Sequence, residues 1–178
     1  MKSKILLLLL LWVGAVWGQA KPTKEETENY IVNFFKNKNF AILKQKVSNT
    51  DEVISTENSC EDIVFNGCEM VLKFKQTSKV DNDDFLIGVL FVKLTFPMNL
   101  VESIKKDGNY IDFATGKDAI SVFASSNDSY YKGFTGDLKK QTYSLLCNSN
   151  STGDIDKLVK GLNYLRKLCG ASEPISFD

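Results

Sequence analysis

The chain has 178 residues, 22 Lys+Arg against 22 Asp+Glu, and no histidine. That is one domain's worth with a real core, and its balanced charge argues against a nucleic-acid partner. The missing histidine removes Ser–His and Cys–His nucleophile pairs, His general bases and His metal ligands together. Basic residues are almost all Lys; Arg166 is the only Arg, which disfavours bidentate phosphate clamps.

Lys2 and Lys4 precede an unbroken apolar run, Ile5 to Leu11, extended by Trp12 and Val13. Val16 and Gly18 stand at the −3 and −1 positions of a cut before Gln19, the pattern of a secretory signal peptide. Cleavage after Ala20 is the alternative. The run is shorter than the roughly 20 apolar residues of a membrane span. The reading is a cleaved signal over residues 1–18, a single globular domain over 19–178, and a secreted or periplasmic location. The mature chain then carries 20 Lys+Arg against 22 Asp+Glu and no tryptophan.

Thr23 and Glu26 form a capping box, followed by the stripe Thr27, Tyr30, Ile31, Phe34 and Phe35, which predicts a helix ending near Asn37. Phe40 to Val47 reads as a strand, and Val53-Ile54 as a weak one. Asp62–Phe65 and Cys68–Lys75 flank Asn66-Gly67, the strongest short hairpin signal. Cys68, Met70, Leu72 and Phe74 share one face of the second strand. Gln76 to Asp84 reads as a polar connection. Its Asp81-Asn82-Asp83-Asp84 lacks EF-hand spacing, since Phe85 stands where the third ligand belongs. Phe85 to Phe96 is the most apolar stretch of the mature chain. With Val89 and Phe91 apolar as well as Leu90, Val92, Leu94 and Phe96, it is expected to be central and, in its first half, covered on both faces.

A strand or short helix over Asn99–Ile104 is expected next, then a turn at Lys105-Lys106-Asp107-Gly108 and strands over Tyr110–Ala114 and Ala119–Ser125. The loop Ser126–Asp137 carries Tyr130, Tyr131 and Phe134. These three are the candidate ligand-binding residues, a stacking or gripping loop at one end of the sheet, set against rings that simply pin the loop to the core. Asn127-Asp128-Ser129 and Asn150-Ser151-Thr152 fit the N-glycosylation pattern. Leu138 to Cys147 is the last strand. Ile155, Leu158, Val159, Leu162, Leu165 and Cys169 form one stripe of a closing helix over Asp154–Cys169, stopped by Gly170.

Four cysteines in an exported chain point to two disulfides with three connectivities. Across the hairpin Cys60 and Cys68 stand about 17 Å apart at roughly 3.3 Å per residue. Cys147 and Cys169 stand about 21 Å apart along the closing helix. Neither pair can bridge, since Cα atoms must come within about 7 Å. Two arrangements remain: Cys68–Cys169 with Cys60–Cys147, or Cys60–Cys169 with Cys68–Cys147. Cys68 and Cys169 both lie on inward faces, which favours the first pairing. No spacing proposes a metal site.

Gly18-Gln19 with Pro22-Thr23-Lys24-Glu25-Glu26-Thr27, the strand Asn66-Gly67-Cys68-Glu69-Met70-Val71-Leu72, and the end Leu165-Arg166-Lys167-Leu168-Cys169-Gly170 together carry a resemblance. The chain resembles small exported proteins of unknown function from Gram-negative bacteria, which combine an N-terminal helix, an antiparallel sheet and a C-terminal helix ending in a Leu-Cys-Gly type motif. Cys60 and Cys147 are not part of that pattern. The resemblance implies a fold and export, and no functional residue.

The expected fold is α+β: an N-terminal helix, about seven antiparallel strands as a curved sheet or half-barrel, and a C-terminal covering helix. Pleckstrin-homology-like folds share this layout, an analogy that implies no lipid headgroup. The expected function is a non-catalytic binding or interaction module with an unknown protein partner, no cofactor, no nucleic acid and no transmembrane segment in the mature chain. The alternative is a carrier of a small apolar ligand, with Phe74, Leu90, Leu94 and Leu162 lining the space between sheet and helix. A histidine-independent enzyme ranks third, because no spacing brings two carboxylates or a lysine together.

Overall fold

The structure, a computed structural model, describes residues 21–37, 41–46, 53–80, 85–126, 128, 131, 135–147 and 152–172. Among them it is α+β, with helices at both ends and nine strands in two antiparallel sheets. Helix α1 spans Lys24–Asn37 and helix α2 spans Thr152–Leu168. The strands are β1 Ala41–Lys46, β2 Val53–Asn66, β3 Glu69–Val80, β4 Phe85–Pro97, β5 Val101–Asp107, β6 Tyr110–Thr115, β7 Ile120–Ser125, β8 Gly136–Lys140 and β9 Thr142–Leu146. A six-stranded sheet runs β1-β2-β3-β4-β7-β8 and a three-stranded sheet runs β5-β6-β9. The expected signal peptide, residues 1–18, lies outside the described residues.

Local chemistry sets both helices. At the start of α1 the Thr23 N–H donates to Glu26 Oε2 at 2.7 Å, and the Glu26 N–H donates to Thr23 Oγ1 at 3.1 Å. Those bonds favour the ionised Glu26 carboxylate and hold it below the usual carboxylate range. Helix α2 ends in a Schellman motif: the Ala171 N–H reaches the Arg166 carbonyl at 3.0 Å, the Gly170 N–H reaches the Lys167 carbonyl at 2.9 Å, and Gly170 sits at φ +81°.

The core forms where the inner face of the large sheet meets the small sheet and the two helices. Met70, Leu72, Leu94 and Phe96 from the large sheet, Ile111 and Phe113 from the small one, Ile31 from α1, and Leu158 and Leu162 from α2 are all fully buried. The Phe96 ring lies 4.3 Å from that of Phe113, joining the sheets face to face. The residues proposed to line a ligand cavity, Phe74, Leu90, Leu94 and Leu162, belong to this same contiguous cluster.

The β2–β3 hairpin forms with a register one step from expectation. Asn66 pairs with Glu69, so Gly67-Cys68 is the two-residue loop rather than Asn66-Gly67. Gly67, at the first loop position, has φ +64°, a conformation that glycine adopts without a Cβ clash. The loop is tied down from three sides. Lys24 Nζ of α1 donates to the Gly67 carbonyl at 2.6 Å, the Met98 N–H donates to the Cys68 carbonyl at 2.8 Å, and Cys68 is bridged to Cys169 at the end of α2.

Two further differences follow from strand pairing. The expected polar connection after Lys75 continues as strand to Val80, because Gln76 to Val80 pair on both sides with β2 and β4. Asp81–Asp84, weighed as a calcium loop, lies outside the described residues. The single strand expected over Leu138–Cys147 is two, bent at Gln141: β8 pairs with β7 in the large sheet and β9 with β6 in the small one. The Thr115 N–H donates to the Gln141 carbonyl at 2.9 Å, which fixes the bend, and the single hydroxyl hydrogen of Thr115 is shared between the Lys117 carbonyl at 2.6 Å and the Gln141 carbonyl at 3.0 Å. The strand alternative for Asn99–Ile104 holds in β5, after a short 3₁₀ turn over Met98–Leu100.

Arg166 is part of the frame. It is buried to 2% exposure at the C-terminal end of α2. Its guanidinium donates to the carbonyls of Val101 at 3.3 Å and Ser172 at 2.8 Å, and to Asn163 Oδ1 at 3.0 Å. Asn163 Nδ2 in turn donates to the Ile104 carbonyl at 2.8 Å. Two side chains of one helix thereby cover carbonyls of β5, a strand whose neighbour in the small sheet is β6 alone. The lone arginine suits this role: its forked donors reach three acceptors that a lysine ammonium could not span.

Candidate functional site

β4 is central, fourth of six strands, yet it is not covered on both faces. Leu90, Val92, Leu94 and Phe96 are buried, while Phe91 is 40% exposed. The helices pack on the inner face and beside β5; among the described residues of the outer face Phe91, Lys93 and Phe123 are exposed, while Val71 is buried. Its register is explicit. Phe91 stands between Lys75 and Ser125; Lys93 stands between Lys73 and Phe123; Phe123 also faces Asp137. Phe91 and Phe123 are therefore diagonal neighbours on adjacent strands, within reach of one another. Phe123 is 42% exposed, and Val64 on β2 adds a further exposed apolar group at 38%. A shallow depression of about 310 Å³ is lined by Lys93, Thr95, Ser121, Phe123 and Asp137.

Charge on this face is organised. Lys73 pairs with Asp62 at 3.4 Å and stands directly opposite Lys93. Like charges placed opposite each other on a sheet are unfavourable by themselves, by up to about 1 kcal/mol. Asp62 offsets the charge of Lys73, and Lys93 stands beside the half-exposed Phe123, which Asp137 faces from the other side.

Of the residues singled out in the loop Ser126–Asp137, Tyr131 is buried at 5% exposure. Its hydroxyl shares a 2.6 Å hydrogen bond with Ser78 Oγ, which is in turn 3.0 Å from Thr56 Oγ1. Its ring lies on Gly88 of β4, where an added Cβ would meet ring carbons at 3.2 Å. Asp128 Oδ2 accepts from the Val89 N–H at 2.7 Å and the Ser126 hydroxyl donates to the Val89 carbonyl, so side chains extend the β4–β7 pairing past Ser125. Beside this polar row Asn58, 9% exposed, finds no hydrogen-bond partner for its Oδ1 among the described residues. Tyr130 and Phe134, and the glycosylation-pattern residues Asn127 and Asn150, lie outside the described residues.

Cys68 and Cys169 are bridged, with Cα atoms 5.6 Å apart. The second bridge is not formed: Cys60 and Cys147 are free thiols. Burial pushes the Cys60 thiol up to about 11, helped by the nearby Asp62 carboxylate, and burial alone pushes Cys147 up to about 12. Both stay protonated at neutral pH, the opposite of an activated nucleophile. Burial likewise raises the Tyr143 phenol to about 12. Among the described residues no group of three or more His, Cys, Asp or Glu side chains is placed to hold a metal ion, and no helix is long and apolar enough to cross a membrane.

Fold and face together define a disulfide-stapled α+β domain whose large sheet exposes Phe91, Lys93 and Phe123 on its outer face. Compared with known proteins, the chain matches no family model, no curated protein and no solved structure. From the sequence Phe91 is expected to be covered, with Val89, and Phe123 is not singled out, although it is a lone aromatic between Ser121 and Ser125 on one strand face.

Proposed function

We propose that the protein is an exported, non-catalytic binding module, and that its working surface is the outer face of the six-stranded sheet. Its partner is a protein that offers apolar anchors next to acidic groups. The observation that carries this reading is the diagonal pair Phe91 and Phe123, half-exposed on adjacent interior strands beside the opposed Lys73 and Lys93. Singly exposed apolar residues are ordinary, whereas neighbouring aromatics on one face are the composition of an interface centre, and the lysines beside them suit its polar rim. The apolar rings supply area at low entropy cost, and the lysines supply orientation and rate of encounter. Export rests on the N-terminal basic and apolar run and agrees with the disulfide.

The test is affinity capture from the protein's own secreted or envelope fraction, run in parallel with wild type and Phe91→Ser/Phe123→Ser. A partner retained by wild type, lost by the double variant and weakened by added salt supports the reading. Capture that survives both substitutions sinks it.

A further inference from the structure

A second concavity lies on the other side of the molecule, between the two helices. It encloses about 330 Å³, at the lower end of the range of small-molecule sites. It is lined by Pro22, Glu26, Thr27 and Tyr30 from the start of the domain and by Lys157, Lys160, Gly161 and Tyr164 of α2. The sequence explains why it is open. On α2, residues 157, 160, 161 and 164 share one face, and the third of these is glycine. An added Cβ there would make ordinary contact with the Tyr30 ring at 3.5 Å, so the glycine lets that ring lie close to α2 and leaves the groove one methyl wider than alanine would.

The charge around the slot is uneven. Lys157 and Lys160 are exposed, and among the described residues neither forms an ion pair or hydrogen bond. The Glu26 carboxylate at the same groove is held ionised by its cap bonds with Thr23, so the two lysines outweigh one negative charge and leave the rim net positive. Two unpaired ammonium groups therefore border a slot lined by two tyrosines. We propose that this interhelical groove binds a small aromatic monoanion, its ring between Tyr30 and Tyr164 and its carboxylate or sulfonate on Lys157 and Lys160. The site is separate from the sheet face and does not depend on it. Ring stacking and lysine stems hold the apolar body, while the ammonium groups select against neutral and cationic molecules of the same shape.

The experiment uses two fluorescent probes with nearly the same ring system: anilinonaphthalene sulfonate, which carries the anion, and phenylnaphthylamine, which lacks it. Both are titrated into the purified chain, into Lys157→Glu/Lys160→Glu and into Phe91→Ser/Phe123→Ser. Circular dichroism and urea midpoints confirm that the variants fold, which these exposed positions allow. The expected result is saturable one-site binding of the sulfonate, weakened about tenfold or more by reversing both lysines, with the neutral probe changed less than about threefold. The sheet-face variant leaves both titrations unchanged. The proposal is overturned if the sulfonate does not bind, if both probes respond equally to the lysine reversals, or if binding is lost with the sheet-face variant.

Discussion

Replacing Cys68 and Cys169 by alanine removes the only bridge among the described residues. The bond closes a loop of 101 residues. In the chain-entropy account a cross-link over about 100 residues restricts the unfolded chain by roughly 4.7 kcal/mol. The two cysteines are only part-buried, so little packing is lost with them. Native contacts at the same point persist, since Lys24 still reaches the Gly67 carbonyl and Met98 still reaches the Cys68 carbonyl. A loss of about 3–5 kcal/mol is therefore expected. In urea, with a slope near 2 kcal/mol/M, the midpoint falls by about 2 M. Wild type in reductant should fall by the same amount, and Cys60→Ala/Cys147→Ala should keep the full response to reductant. A thiol titration of the denatured, unreduced chain should find the two free groups of Cys60 and Cys147. Coincident oxidised and reduced unfolding curves would refute the reasoning, as would an unreduced chain with no titratable thiol.

Arg166→Met keeps the length of the side chain but strands the carbonyls of Val101 and Ser172 and the Asn163 amide oxygen; a cost of about 2–4 kcal/mol in urea unfolding is expected, and a change below about 0.5 kcal/mol would show that water satisfies those groups. Alkaline pH should destabilise the fold. The Cys147 thiol is raised to about 12 in the folded state against 9.0 as its ordinary value, so the unfolded chain releases its proton first and stability falls as pH rises from about 9 to 12. The slope from this group is at most about 1.4 kcal/mol per pH unit, and Cys147→Ala should flatten the urea midpoint between pH 8 and 11 relative to wild type; an unchanged slope would remove Cys147 as the cause.

The sequence by itself determined whatever depends on near neighbours. The capping box at Thr23 and Glu26, the Gly170 stop and the alternation of Met70, Leu72 and Phe74 follow from atoms within a few residues of one another. These were legible as written. The Cys68–Cys169 pairing was reachable too, because strand and helix rises left two arrangements and the shared inward faces of Cys68 and Cys169 favoured this one. What only the tertiary structure decided is which face is covered and by what. Phe91 and Leu90 are equally apolar letters in one strand, and the two sides separate only because both helices pack on the inner face and beside β5. The bend at Gln141 depends on hydrogen bonds from Thr115, which lies on another strand. The groove depends on a glycine of α2 meeting a tyrosine of α1. Burial, bends and clefts are properties of pairs distant in the chain, and a local pattern holds no record of its distant partner.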